Sequence, residues 1–222
     1  MIDQNLIDNP PFIEAAGYHK GRIKTVELIV IHTMEAPDKG DTALRTAKYF
    51  QNAGLKASAH YCVDNTEIIQ CVHDSDTAWH CVNANANGIG IEHAGFAKQT
   101  ANDWMSDYNK AMLEISAQES AVLCKKYGIP VRKAVFAGAN DPTVKEKGFC
   151  GHAEVPLHGD HWDPGTDFPW DYYFDLINKI LAGDDSGNNT DSTDTTDTPP
   201  DPIQPSAGGE SSSGAKTAIV GN

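Results

Sequence analysis

The sequence is short of positive charge. Seventeen lysines and arginines stand against 31 aspartates and glutamates, for a net charge of −14 over 222 residues, and no basic stripe gathers the cations. A nucleic-acid partner, which is held largely by phosphate neutralisation, is therefore not expected. Long apolar runs are missing as well. Nothing approaches the roughly 20 apolar residues of a membrane span, so no membrane partner is expected. The opening stretch MIDQNLIDNPPFIEAAGYHKGRIKTVELIV lacks the basic start, apolar run and small-residue cleavage site of an export signal. The chain is expected to begin in a cytoplasm. Cysteine is sparse: five residues, at 62, 71, 81, 124 and 150, an odd number in no zinc-ribbon spacing, argue against a fully paired disulfide framework. Cys62 and Cys71 flank an expected hairpin turn and could face each other, but two buried free thiols are the favoured reading.

Aromatic residues vanish after position 183. From Asp184 onward the chain carries seven acidic residues, one lysine and no aromatic side chain. Such a segment cannot bury enough apolar surface to offset its ordering entropy. Residues 1–183 are thus expected to form one domain, and residues 184–222 a disordered acidic tail or linker.

Within the expected domain, strand and helix patterns alternate. ELIVIHT (27–33) reads as a buried strand, SAHYCVD (58–64) and EIIQCV (67–72) as a hairpin, and GIGIEHAG (88–95) as a further strand. DTALRTAKYFQNAG (41–54) predicts a helix with Asp41 or Thr42 as cap, Ala43, Ala47 and Phe50 on one face, and Gly54 as stop. The longest helix is expected at 107–128, with Met112, Ile115, Val122 and Leu123 at helical spacing, and the last at 169–183, with Tyr173, Ile177 and Ile180 on one side. The fold class that follows is α/β: a single domain with a central mixed sheet flanked by helices.

Histidine and aspartate supply the candidate chemistry. GHAEVPLHGDHWDPG (151–165) holds three histidines and two aspartates in fifteen positions. His32 ends the first strand, where buried strands deliver side chains to a crevice, although a lone histidine there is ordinarily structural. His152 follows Gly151, whose missing side chain permits a close approach, and Asp163 is held by Pro164 and Gly165. Two imidazoles and a carboxylate from separate segments match the ligand set of a catalytic zinc with an open fourth position. Spacing alone leaves this reading and a merely polar loop level. Cys150 would point elsewhere if His152 is a ligand.

Six segments, IVIHT, SAHYCVD, TAWHCV, IGIEHAG, GHAEV and HWDPGTDFPW, occur in collinear order. Over about residues 29–170 the chain resembles the zinc-dependent N-acetylmuramoyl-L-alanine amidases shared by phage endolysins, bacterial amidases and peptidoglycan recognition proteins. The resemblance implies one zinc ion per chain, in a surface groove, on His32, His152 and Asp163. It implies cleavage of the amide between muramic acid and the first L-alanine of the stem peptide in peptidoglycan. It makes Glu92 the general base and then acid, a role consistent with strand alternation, since Glu92 faces the crevice if its isoleucine neighbours face the core. A solvated strand glutamate is the plainer alternative. His161 falls where relatives carry lysine or histidine and is assigned to the oxyanion of the tetrahedral intermediate. His60 and His80 match positions near the groove, and Trp79 either stacks on sugar or belongs to the core. Where some relatives have a catalytic tyrosine this chain has Ala59, so Tyr61 receives no role. A phage endolysin acting as a monomer, held in the host cytoplasm until the membrane is breached, fits these implications. A bacterial wall-recycling amidase, a non-catalytic muropeptide-binding module and a four-ligand structural zinc domain are the alternatives.

Overall fold

Along the chain run α1 (Gln4–Asp8), β1 (Tyr18–His19), β2 (Leu28–Thr33), α2 (Thr42–Phe50), β3 (Tyr61–Val63), β4 (Ile68–Gln70), β5 (Thr77–Ala78) and β6 (Gly88–His93). They are followed by α3 (Ala101–Trp104), α4 (Asp107–Tyr127), β7 (Val135–Gly138), β8 (Asp141–Glu146), β9 (Gly148–Gly151), a 3-10 turn (His152–Glu154) and α5 (Trp170–Gly187). This computed structural model describes residues 4–187. The expected tail lies outside them, apart from its first four residues, over which α5 continues to Gly187 past the expected boundary at 183.

Five strands form the central sheet in the order β4-β3-β6-β2-β9. β2 runs parallel to both β6 and β9, β3 runs parallel to β6, and only β4 pairs antiparallel. The sheet is therefore mixed, as the alternation of elements leads one to expect. Parallel strands are buried on both sides, and every residue of LIVIHT in β2 is buried.

Period-two alternation sorts the side chains. Ile29, Ile31, Ile89 and Ile91 point to one face, where they join Met112, Leu113, Leu123, Phe149, Tyr173 and Ile177 in the main core. Leu28 and Val30 point to the other face and pack on Cys81, Ala84, Cys150 and Val155. A third cluster, Ala43, Ala47 and Phe50 of α2 with Cys62, Ile69 and Cys71, lies beneath the hairpin strands. The expected apolar face of α2 is thus the observed one.

Local details differ from the sequence expectation in instructive ways. Neither expected residue caps α2 through its side chain: Asp41 is left-handed at φ 72°, and its carboxylate pairs with Arg45 at 3.0 Å. The buried Asp64 of the hairpin supplies the acceptor instead, taking the Ala43 N–H at 3.0 Å as well as the N–H groups of Thr66 and Glu67. Val122 of α4 is exposed, because the helix presents Met112, Ser116, Leu123 and their neighbours to the sheet. Serines can sit on that buried side because a polar seam satisfies them. Tyr173 Oη lies 2.6 Å from Ser116 Oγ and 2.8 Å from Ser120 Oγ, and Ser116 Oγ also meets His93 Nε2 at 2.8 Å. Gly128 ends α4 in the left-handed conformation, at φ 61°. Strands β7, β8 and β9 went unforeseen. β7 and β8 form a largely exposed hairpin apart from the main sheet, and β9 is the four-residue run GFCG.

Candidate metal centre and groove

Two parallel strands and one loop build the site. β2 ends in His32, and β9, its neighbour on the outer side, feeds directly into the turn that begins with His152. Gly151 makes the third segment possible. A Cβ there would stand 2.4 Å from Pro164 Cδ, so the missing side chain lets the Asp163-Pro164 loop lie on the strand end. The loop is further tied by Ala153 N–H donating to the Asp163 carbonyl at 3.0 Å. Glu154 accepts the Gly151 N–H at 2.6 Å and pairs with Lys133, whose ammonium sits over the Trp170 ring.

The result is a convergent donor set. His32, His152 and Asp163, all buried, bring one ligand atom each to within 4.8 Å of one another, the one such group among the described residues. His32 Nδ1 lies 2.9 Å from Asp163 Oδ2, and His152 Nδ1 lies 3.5 Å from Asp163 Oδ1. Burial by itself raises the Asp163 carboxyl, but the contacts with His152 and His32 outweigh it and hold the group well below the usual carboxylate range. Burial pushes the His32 imidazole down, toward the neutral form that a metal requires. Two nitrogens and one oxygen, with no fourth protein donor in the group, form a set that a metal ion could occupy while retaining an open position. Cys150 is not among the donors; it is buried with Leu28, Val30 and Val155.

Glu92 stands beside this set. It is paired in register with His32 across β2 and β6, on the face opposite Ile91. Burial pushes its carboxyl well above the usual range, and the negative charges of Asp163 and Glu35 add to the shift. Its Oε2 is buried without a hydrogen-bond partner. Such a carboxyl is poised to accept or give a proton. Glu92 also lines a cleft of about 360 Å³ with Thr33, Met34, Thr46 and Phe50.

A larger cleft, about 810 Å³, is lined by Trp79, His80, Asn85, His152, Leu157 and His161, among others. His161 is exposed and stacks on His152 with ring centroids 3.9 Å apart. Trp79 divides between the two sequence readings: it lines the cleft, while its ring packs on Gly17 and meets His19 edge-on. His158 lines the cleft but does not join the donor group.

His60 is fully buried: its Nδ1 accepts the Gly90 N–H at 3.0 Å while Arg22 closes over its Nε2, so neither ring nitrogen is open to a cleft. His80 is also buried, though at the cleft wall, and its Nδ1 lies 3.1 Å from His32 Nε2. Tyr61, given no role, hydrogen-bonds Asp74 at 2.7 Å on the core side. Cys62 and Cys71 are free thiols with sulfurs 3.8 Å apart.

A family model described as N-acetylmuramoyl-L-alanine amidase matches residues 22–166, a span that contains every residue of this site. The chain belongs to that family. It is accordingly an enzyme, an N-acetylmuramoyl-L-alanine amidase. N-acetylmuramoyl-L-alanine amidase A of Achromobacter lyticus is 32% identical over 158 residues, covering 68% of this chain and 82% of that protein. The amidase XlyA of Bacillus subtilis is 33% identical over 100 residues, which is 40% of this chain and 34% of XlyA. Among solved structures, the Staphylococcus aureus hydrolase AmiA with its ligand superposes at a TM-score of 0.60 and 20% identity, covering 82% of this chain and 91% of that one. The XlyA catalytic domain superposes at 0.54 and 19%, covering 75% and 97%. Both share the fold of this amidase. No described helix is long and apolar enough to cross a membrane.

Proposed function

We propose that this amidase is a zinc enzyme of the endolysin type, which cuts peptidoglycan between the lactyl group of muramic acid and the L-alanine of the stem peptide. The observation that carries the reading is the meeting of His32, His152 and Asp163 at the ends of β2, β9 and the following loop, with Glu92 in register beside His32. The donor set suits zinc: two imidazole nitrogens and one carboxylate oxygen, buried, with His152 lining one cleft and Glu92 another. Zinc held there would supply Lewis-acid polarisation of the scissile carbonyl and acidification of the attacking water.

The chain's own residues do the rest. The Glu92 carboxylate takes the proton from the attacking water and passes it to the departing alanine nitrogen, and its raised pKa brings acid and base forms closer in energy. His161, exposed at the rim on top of His152, donates to the oxyanion as the carbonyl becomes tetrahedral. Trp79 offers its cleft-facing edge to the glycan. The protein works as a monomer, is made in the host cytoplasm and meets the wall once the membrane is breached.

The deciding measurement is mass spectrometry of purified peptidoglycan digested by the metal-loaded protein, with and without a strong chelator. Free L-alanine amino termini that form only without chelator are expected. Cleavage that survives complete metal removal would overturn the zinc reading, and peptidoglycan bound but uncut would overturn the substrate.

A further inference from the structure

His80 lies where a substrate contact was expected, but both of its ring nitrogens are turned inward. Its Nδ1 is 3.1 Å from His32 Nε2, with the two rings nearly perpendicular at 85° and their centroids 5.2 Å apart. Its Nε2 is buried as well, so neither nitrogen is presented to the cleft. The other nitrogen of His32 already faces the donor cluster, 2.9 Å from Asp163.

The surrounding backbone is shaped for this ring. A Cβ on Gly90 would stand 2.6 Å from His80 Cγ and 2.7 Å from its Nδ1, and one on Gly88 would stand 3.2 Å from its Cε1. Any side chain at position 90 would displace the imidazole. From the other direction, Asn85 Oδ1 accepts the backbone N–H of His80 at 2.9 Å and that of Cys81 at 2.7 Å, fixing the turn that carries the ring. Two glycines on one strand and one asparagine in the loop thus hold a second histidine under the first.

We propose that His80 is the positioning residue of the metal centre: its Nδ1 accepts the Nε2–H of His32 and so keeps His32 Nδ1 unprotonated and aimed at the metal. The logic is that of proton counting. A neutral imidazole carries one N–H, and if Nδ1 is to donate its lone pair to a cation, the proton belongs on Nε2. An acceptor at Nε2 makes that tautomer the favoured one and fixes the ring's rotation, which is how outer partners commonly raise the affinity of ligating histidines. The acceptor must itself be unprotonated at Nδ1, which places the proton of His80 on its buried Nε2. One hydrogen bond therefore sets the tautomer of both rings.

This inference rests on the zinc reading above, and zinc affinity tests the two separately. Zinc binding to the purified full chain is measured by competition with a chromophoric chelator, for the wild type and for His80→Leu, His80→Asn and His80→Gln. Replacement by leucine is expected to weaken zinc about 10- to 100-fold, the usual cost of losing an outer partner. Asparagine puts an acceptor close to the Nδ1 position and should restore most of the affinity, whereas glutamine places its oxygen too far along and should not. The asparagine and glutamine pair keeps the test sharp if the leucine variant does not fold. Long-range nitrogen–proton NMR of the zinc-loaded wild type should show the His32 proton on Nε2. Unchanged zinc affinity in all three variants, or a His32 proton on Nδ1, overturns the role of His80 while leaving the zinc reading intact. A higher KM at unaltered zinc affinity would restore the substrate-contact role. A wild type that takes up no zinc overturns both.

Discussion

The two faces of the central sheet are made by the same strands and do opposite work. On one, Ile29, Ile31, Ile89 and Ile91 disappear into the core under α4 and α5. On the other, β2 offers Leu28, Val30 and His32, while β6 offers Gly88, Gly90 and Glu92. Large branched residues fill the first face to close packing. Glycines leave the second one hollow, and the space is taken by His80. The difference teaches that part of the reactive set is built into the sheet itself. His32 and Glu92 occupy alternate positions of strands whose remaining positions make the core, so for these two groups rigidity and chemistry share a backbone, while His152 and Asp163 arrive from the turn and loop after β9.

If that division is real, substitutions one residue apart should fail in different ways. Glu92→Gln keeps the shape of the side chain and removes its proton chemistry. Turnover is expected to fall about 100- to 10,000-fold, with zinc content and wall binding retained; a variant that still turns over at the wild-type rate would remove Glu92 from the mechanism. Ile91→Ala, its immediate neighbour, should cost about 2–5 kcal/mol in denaturant unfolding through the cavity it leaves. Its turnover per folded molecule should stay near wild type, and a selective loss of kcat in that variant would show that the two faces are not separable.

Much of this division is written in the sequence, and the parts that are not have physical causes. IVIHT and GIGIEH are legible because alternation and branched residues mark a strand and its buried side, and the places of His32 and Glu92 near the strand ends follow, whereas the role of Glu92 rests on the family resemblance. β9 is not legible: GFCG is four residues long, and its glycines serve to let Pro164 and the 132–134 backbone approach, a purpose invisible without the neighbours. The cap of α2 is hidden for the same reason, since Asp64 is 21 residues from the N–H it satisfies. The depth of His60 is not legible, because matching a family position near a groove says nothing of burial, and the bond between His80 and His32 spans 48 residues.

A smaller effect should come from filling the hollow face. Gly90→Ala sets a methyl group 2.6 Å from the His80 ring, and overpacking of this kind costs about 1–3 kcal/mol. The comparison with Ile91→Ala is the sharp one, because the glycine variant should also weaken zinc binding whereas the isoleucine variant should not. Equal zinc affinity for Gly90→Ala and wild type would separate the glycine from the metal site.

The subtlest contrast is between two buried carboxyls, Glu92 on the hollow side and Glu119 on α4, facing the core side. Burial raises both, and for Glu119 the charge of Asp74 adds to it while Tyr61 and Lys126 oppose, leaving a pKa of about 7. A carboxyl whose folded pKa exceeds its unfolded value contributes stability while protonated. That contribution is complete below an unfolded pKa near 4.5 and is lost as pH rises through about 7. Glu119→Gln keeps the neutral form at every pH. It should therefore leave the melting temperature nearly unchanged at pH 4.5 and raise it at pH 8, by on the order of 2 kcal/mol or less in stability. Turnover should not change, since Glu119 lines neither cleft beside the metal centre. Parallel wild-type and variant stability curves across that pH range would mean that Glu119 is ionised at no unusual cost, and that the carboxyl strained by burial belongs to the hollow face alone.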